Sequence, residues 1–392
     1  MTVDISGMQN DLRAAGLDGW LFYDFRGRDP IAQRILKLPE SMRTRRWFYF
    51  VPAKGSPKKL VHKIETQSLA GVPGETLYYA GLEELEKNLR KILVRAKTVA
   101  MQYSPKNSIP YVSMVDAGTI EMVRGLGVKV VSSADLVQKF EACWTDDQLR
   151  SHEDAGKAID RIVRRAFELA AKSVREKSLL SEYDLQKWIL EDFAVAGLSA
   201  GEGPDVAVGA HASDPHYGPT IESASPIREG DLLLLDVWGK HKPAGSVYYD
   251  ITWVGYLGEK VPDKYAKVFA VVRNARDKAV DLIRSSVAAG KPLQGWQVDK
   301  AARGVIEKAG YGKYFYHRTG HSIGETIHGN GANMDSLETH DLRRLIPRTC
   351  TSVEPGIYLP EFGIRSEVNV YIGEREAHVT GAVQNEILAL LA

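Results

Sequence analysis

Four leucines in succession, Leu232 to Leu235, run straight into an aspartate, Asp236. A continuous apolar run suits a strand covered on both faces, so this stretch belongs inside a layered α/β structure. An ionised carboxylate at the end of such a strand costs several kcal/mol unless it is paired or coordinates a metal. Taken alone, Asp236 reads as a residue that initiates a turn at a strand end. Asp250 raises the same question, because it sits in Tyr248-Tyr249-Asp250-Ile251-Thr252-Trp253, among the aromatic and β-branched residues of a strand, where aspartate is depleted. Its plain alternative is an edge-strand position facing water.

The chain is 392 residues long, beyond the roughly 250–300 at which a single core stops growing, so two domains are expected. Hydrophobic residues at 44% and charged residues at 26% are the composition of a folded globular protein. The 51 basic and 50 acidic side chains nearly cancel, which leaves no global field to draw the protein to nucleic acid or to an anionic membrane and favours small or neutral partners. The start, Met1-Thr2-Val3-Asp4-Ile5-Ser6, has no basic segment followed by an apolar run, and no later stretch is long enough to span a bilayer; a cytoplasmic location is expected. Cys143 and Cys350 are the only cysteines, too few for a disulfide scaffold or a cysteine-based zinc site, so any metal is held by carboxylates and histidines.

Strand and helix signals alternate through the first 135 or so residues: a helical stripe from Met8 to Ala15, strands at Trp20 to Tyr23 and Trp47 to Val51, a helix over Leu82 to Val94, then strands at Thr98 to Met101 and Val128 to Val131. The pattern breaks around Glu141 to Asp147, where Thr145 followed by Asp146 and Asp147 reads as a helix N-cap and first turn. The domain boundary is placed there, giving a smaller α/β domain over 1–143 and a second domain over 144–392. In the second, helices are expected from the Thr145 cap to about Glu176 and over Glu182 to Val195, Pro262 to Ser286 and Trp296 to Ala309. Strands are expected at Val206 to Val208, Leu232 to Trp238, Val247 to Val254, Arg348 to Val353 and Ile364 to Ile372.

Three more polar positions stand out on that frame. Glu354 ends the Thr351-Ser352-Val353 strand just before Pro355-Gly356, and Arg365 and Glu367 share one strand face, where a surface ion pair is the plain alternative. His317, His321 and His328 fall within twelve residues, and the glycines flanking His321-Ser322-Ile323 suit close backbone packing near a ligand; a solvated loop is the alternative.

Taken in order, these residues resemble the pita-bread metallopeptidases, the family shared by Xaa-Pro dipeptidase, aminopeptidase P and methionine aminopeptidase. An aspartate ending an apolar strand (Asp236), an aspartate before Ile-Thr (Asp250), a histidine in Gly-His-x-x-Gly (His321), a glutamate before Pro-Gly (Glu354) and a glutamate two after an arginine (Glu367) carry the resemblance. It covers about residues 146 to 385, and extends to the N-terminal half as a creatinase-like domain typical of the proline-directed members.

The resemblance implies a pita-bread catalytic domain with five metal ligands, Asp236, Asp250, His321, Glu354 and Glu367, holding two divalent ions, with Asp250 and Glu367 bridging. One imidazole and four carboxylates form an oxygen-rich set that favours Mn²⁺, with zinc or cobalt also able to bind. Two ions about 3.5–4 Å apart allow a bridging water to ionise and attack a peptide carbonyl. Glu354 is then the proton shuttle. His216, in Pro215-His216-Tyr217, fits the substrate carbonyl or the oxyanion, with His211 as its rival. His328 fits the scissile amide, His317 the proline or its carboxylate, and Arg365 a role orienting a bridging carboxylate. Tyr217 accompanies His216 on the substrate side or just behind it. The expected activity is hydrolysis of Xaa-Pro dipeptides by a homodimer. The alternatives are an aminopeptidase P acting on longer peptides with proline second, or a creatinase-like or lyase member without this metal pair. Two departures matter: the aspartates are fourteen apart, longer than the usual family spacing, which points to an insertion within Lys240 to Ser246; and Gly329-Asn330 follows His328 where relatives carry an acid.

Overall fold

Apolar side chains at both parities along Gly19–Asp24 and Trp47–Pro52 demand cover on both faces, and the N-terminal unit, Met1–Glu141, supplies it. The structure is a computed structural model and describes residues 3–39, 43–201 and 203–392. Six strands lie in the order Glu75–Tyr79, Lys58–His62, Trp47–Pro52, Gly19–Asp24, Thr98–Met101, Lys129–Ser132. Helices Ile5–Ala14, Pro30–Ile35 and Ala134–Glu141 pack on the face of Trp20, Phe22 and Trp47, and helices Leu82–Leu93 and Ala117–Gly125 on that of Leu21, Phe48 and Phe50. The two strands not expected, Lys58–His62 and Glu75–Tyr79, are half-exposed and mixed in composition, so neither carries a clean period of two.

The second unit, Ala142–Ala392, is built on the hairpin Leu232–His241 and Tyr249–Tyr256, paired antiparallel from Tyr249 opposite Gly239 to Tyr256 opposite Leu232. Asp205–Val208 and Leu198–Ser199 add to the outer side of the first strand, and Leu388–Ala389 to the far side of the second. Leu233, Leu235 and Val237 point into a core closed by helices Asp146–Arg175 and Glu182–Val195. Leu232 and Leu234 point the other way, into a core with helices Asp263–Ala288 and Gly295–Lys308. The leucine run is thus buried on both faces, and strand alternation puts Asp236 on the face of Leu232 and Leu234. A second sheet, in the order Ser322–Ile323, Thr349–Val353, Val368–Ile372, Ala377–Thr380, and the hairpin Gly356–Leu359 with Phe362–Arg365 complete the unit.

Helix Asp146–Arg175 starts with a capping box in which the Thr145 hydroxyl receives Gln148 N and the Gln148 side chain receives Thr145 N. Its apolar stripe, Ala155, Ile159, Ile162, Ala166, lies against the hairpin. The expected single strand from Ile364 to Ile372 is two strands, Phe362–Arg365 and Val368–Ile372, broken at Ser366-Glu367. The first pairs with Gly356–Leu359 and the second with Thr349–Val353, so the chain changes sheets at the break. The extra length between the aspartates is taken up partly as strand, since Lys240 and His241 pair with Ser199 and Leu198, and partly as the turn after His241. Among the described residues no helix is long and apolar enough to cross a membrane.

Two anchors fix the start of the Asp250 strand. Tyr249 is wedged where a Cβ on Gly156 would come within 2.7 Å of its ring and one on Gly381 would meet its hydroxyl, and that hydroxyl donates to Asp160 at 2.9 Å. His152, fully buried, bonds the Tyr248 carbonyl through Nδ1 (2.6 Å) and the Thr380 hydroxyl through Nε2 (2.7 Å). Burial pushes the His152 pKa down to about 4, so the ring is neutral in the folded protein. Between its ordinary value and about 4 the unfolded chain binds the extra proton, so stability must fall as pH drops through that window. Urea unfolding of the full chain should lose of order 3 kcal/mol across it through this one ring; His152→Gln should flatten the slope, and an unchanged slope would exclude His152 as the source.

Candidate metal centre

The hairpin register brings the first acids together. Asp236 lies opposite Thr252, and Asp250, two residues before Thr252, shares its face. Residues from three more places meet them: His321 immediately before Ser322–Ile323, Glu354 immediately after Thr349–Val353, and Glu367 in the break between sheets. Ligand atoms of Asp250, His321 and Glu367 all lie within 4.8 Å of one another. His321 Nε2 is 3.5 Å from Asp250 Oδ2 and 3.4 Å from Glu354 Oε1. Asp236 joins through Thr252, whose hydroxyl accepts from Arg365 Nε (2.9 Å) and lies 3.1 Å from Asp236 Oδ1 and 2.9 Å from Glu367 Oε2. All five sequence-expected ligands therefore converge.

Local pairings hold this arrangement. The Ser352 hydroxyl receives the His321 amide (2.9 Å) and donates to Glu354 Oε1 (2.9 Å), while Glu354 N reaches the Thr319 carbonyl at 2.7 Å. His321 Nδ1 faces the Ser322 carbonyl at 3.1 Å, which places the proton there and leaves Nε2 an open acceptor toward the acids. Asn369 donates to the Asp250 carbonyl at 2.7 Å. A Cβ on Gly320 would lie 2.0 Å from the Ser352 carbonyl oxygen, so the segment that leads through His321 into Ser322–Ile323 needs glycine there. Gly324 has no such constraint, its nearest atom being 3.9 Å away.

The electrostatics leave this cluster short of positive charge. Asp250 is 5% exposed and Glu367 2%. Burial, then the neighbouring acids, hold Asp250 and Glu367 well above the ordinary carboxylate range, and burial raises Glu354 against the lowering pull of His321 and Arg365. Arg365 is buried, donates to Asp236 through Nη2, and lies 4.0 Å from Glu354. It is therefore not a surface residue: it grips Asp236 and reaches Glu367 through Thr252. Oε1 of Glu367 is buried with no hydrogen-bond partner, an acceptor left for a ligand. Clustered buried carboxylates, an imidazole with its acceptor nitrogen turned inward, and an orphaned oxygen are a donor set that fits divalent cations.

Around the acids the histidines divide. His328 packs edge-on against His321, ring centroids 4.5 Å apart, with its pKa pushed down to about 3 by desolvation and then by His321, Arg318 and His216. His216 thus lies near enough to His328 to influence it, and the preceding Pro215 carbonyl is 3.5 Å from Arg365 NH1. The rival, His211, is occupied elsewhere: its Nδ1 is 2.9 Å from Glu182 and its ring stacks on Tyr217. Tyr217 gives its hydroxyl to Glu182 at 2.8 Å, so it supports the segment rather than facing the acids. His317 is bonded through both ring nitrogens. Its Nδ1 faces the Arg318 carbonyl (2.7 Å) and its Nε2 receives the Tyr358 hydroxyl (2.7 Å), which itself accepts from Arg365 at 3.0 Å. Both ring nitrogens are engaged within the protein, and burial pushes the His317 pKa down to about 3, so the ring buttresses Tyr358 and, through it, Arg365.

Sequence reasoning missed Thr252, Ser352, Tyr358 and Asp205. The first two were visible as hydroxyls on strands that carry candidate ligands. Asp205, directly opposite Asp236, is pushed up to about 8 by burial and by the Asp236 charge; only the strand register reveals that pairing.

The layered α/β unit with this buried acid and imidazole cluster defines a pita-bread metallopeptidase. A model of metallopeptidase family M24 matches residues 151–374, more than half the chain, and the chain belongs to that family. It is 30% identical over 279 residues to a Mycobacterium tuberculosis protein named probable dipeptidase PepE, covering 71% of this chain and 68% of that one. It is 28% identical over 239 residues to a Lactobacillus helveticus Xaa-Pro dipeptidase, covering 60% and 58%. Among solved structures, dipeptidase PepE from Mycobacterium ulcerans superposes with a TM-score of 0.68 at 23% identity over 98% of this chain and 96% of that one. Recombinant prolidase from Thermococcus sibiricus gives 0.62 at 20% identity over 99% of both. These two likenesses speak to the fold.

Because Gly320 abuts backbone rather than a side chain tip, Gly320→Ala should lose about 1–3 kcal/mol of stability and bind less metal by elemental analysis, whereas Gly324→Ala should keep both. Equal behaviour of the two variants would refute the close-approach argument.

Proposed function

We propose that the chain is a metal-dependent Xaa-Pro dipeptidase, with two divalent ions held by Asp236, Asp250, His321, Glu354 and Glu367. The observation that carries this reading is one cluster: Asp250, His321 and Glu367 offer ligand atoms within 4.8 Å of one another, Glu354 lies 3.4 Å from His321, Asp236 joins through Thr252, and Oε1 of Glu367 is buried without a partner. The names of relatives, dipeptidase and Xaa-Pro dipeptidase, support the substrate class. Mn²⁺ suits the oxygen-rich set best, with zinc or cobalt as alternatives. When bound, the metal pair supplies an activated water and polarises the scissile carbonyl.

The chain's own residues do the rest. By the family resemblance Asp250 and Glu367, close to His321 on one side and to Thr252 and Asp236 on the other, would be the ligands shared by the two ions. Arg365 and Thr252 hold Asp236 and Glu367 in place. Glu354, beside His321, takes the proton from the nucleophile and returns it to the leaving proline nitrogen. His328, edge-on against His321 and held neutral, faces the scissile amide, and His216 assists at the carbonyl oxygen. A cytoplasmic homodimer belongs to the same reading by resemblance.

The purified protein should carry or require two divalent ions per chain; fewer than one bound or activating ion would sink the reading. Metal-loaded protein should cleave Ala-Pro, and hydrolysis confined to a longer Xaa-Pro peptide would replace dipeptidase by aminopeptidase P. Asp250→Ala and Glu367→Ala should abolish hydrolysis while folding normally without metal, since each removes a buried like charge rather than apolar packing. Unfolding of these variants beside a folded metal-free wild type would contradict it.

A further inference from the structure

The segment between Val208 and Ser225 carries His216, yet apart from one short turn, Gly209–Ser213, it has no regular structure. Four of its hydrogen bonds converge on one carboxylate. Glu182, the first residue of helix Glu182–Val195, is fully buried and accepts from Val208 N (2.7 Å), Ser225 N (2.7 Å), the Tyr217 hydroxyl (2.8 Å) and His211 Nδ1 (2.9 Å). The two amides close the ends of the segment, and the two side chains, stacked on each other at 4.2 Å between ring centroids, fix its middle on either side of His216. A buried carboxylate tolerates its desolvation only with donors such as these, and charge-assisted bonds are about twice as strong as neutral ones.

We infer that Glu182 is the positioning residue for His216: it folds the 208–225 segment onto itself and so presents that histidine at the metal centre, without touching substrate. The inference rests on the proposed role of His216. On its other side the segment is tied by the Pro215 carbonyl to Arg365, by the Ser213 hydroxyl to the Leu359 carbonyl and by the Ser213 carbonyl to Tyr316, so the histidine is held between these contacts and the Glu182 anchor. Glu182→Gln replaces one acceptor oxygen with an amide that confronts two of the four donors. The fold keeps helix Glu182–Val195 through the Ser181 cap, where the Ser181 hydroxyl and the Asp184 side chain receive each other's amides.

The test is amide hydrogen exchange together with a double-mutant cycle on metal-loaded protein. In Glu182→Gln, exchange over 209–224 should rise at least about tenfold while the core strands stay protected. Hydrolysis should fall roughly 10–100-fold in kcat/KM with metal content unchanged. Glu182→Gln and His216→Ala should be non-additive, the double variant being no worse than the poorer single one. Unchanged exchange overturns the anchor, and additive losses overturn its link to His216. If His216→Ala alone leaves hydrolysis intact, the role given to that histidine fails, while the exchange result still judges the anchor. Should Glu182→Gln not fold, Tyr217→Phe removes one donor, and exchange rising in the same window supports the inference while unaltered exchange defeats it.

Discussion

The register between Leu232–His241 and Tyr249–Tyr256 is the constraint on which the rest depends. With Asp236 opposite Thr252, both aspartates share one face of the hairpin while Leu233, Leu235 and Ile251 fill the other. A slip of one residue would carry the aspartates into the helix-covered core and the leucines into the acidic cluster. The apolar packing on both sides of the leucine run therefore does more than stabilise: it fixes which way two carboxylates point.

Given that register, the cluster is an energetic liability that the fold accepts. Four acids crowd one imidazole and one guanidinium in a site where burial raises three of them. The surroundings do not neutralise it but orient it, through Arg365 on Asp236, Tyr358 and His317 behind Arg365, Ser352 between His321 and Glu354, and Thr252 at the junction. Such preorganisation suits a site that completes its charge balance with cations.

Much of this was legible in the chain. The leucine run, the Thr145 cap and the aspartate among β-branched residues each violate or satisfy a local rule strongly enough to be read directly, and the five candidate ligands follow from them and from the family resemblance. What escaped has a common cause, because it depends on residues far apart in sequence. The break at Ser366-Glu367 is a change of partner strand, not of composition. The Tyr358 hydroxyl on the His317 ring comes from a residue 41 positions further along the chain. Asp205 is an ordinary loop-edge acid until pairing sets it against Asp236.

Tyr249 ties the chemistry to distant parts of the chain in another way. Its ring occupies space that Gly156, on the long helix, and Gly381, after the last strand of the second sheet, leave open, and its neighbour is Asp250. Three positions spread over more than half the sequence are thus one volumetric unit. Divergence at any of them must be matched at the others or be felt as a displaced carboxylate, so drift in this protein is rationed by a void shared between a helix, a strand and a turn.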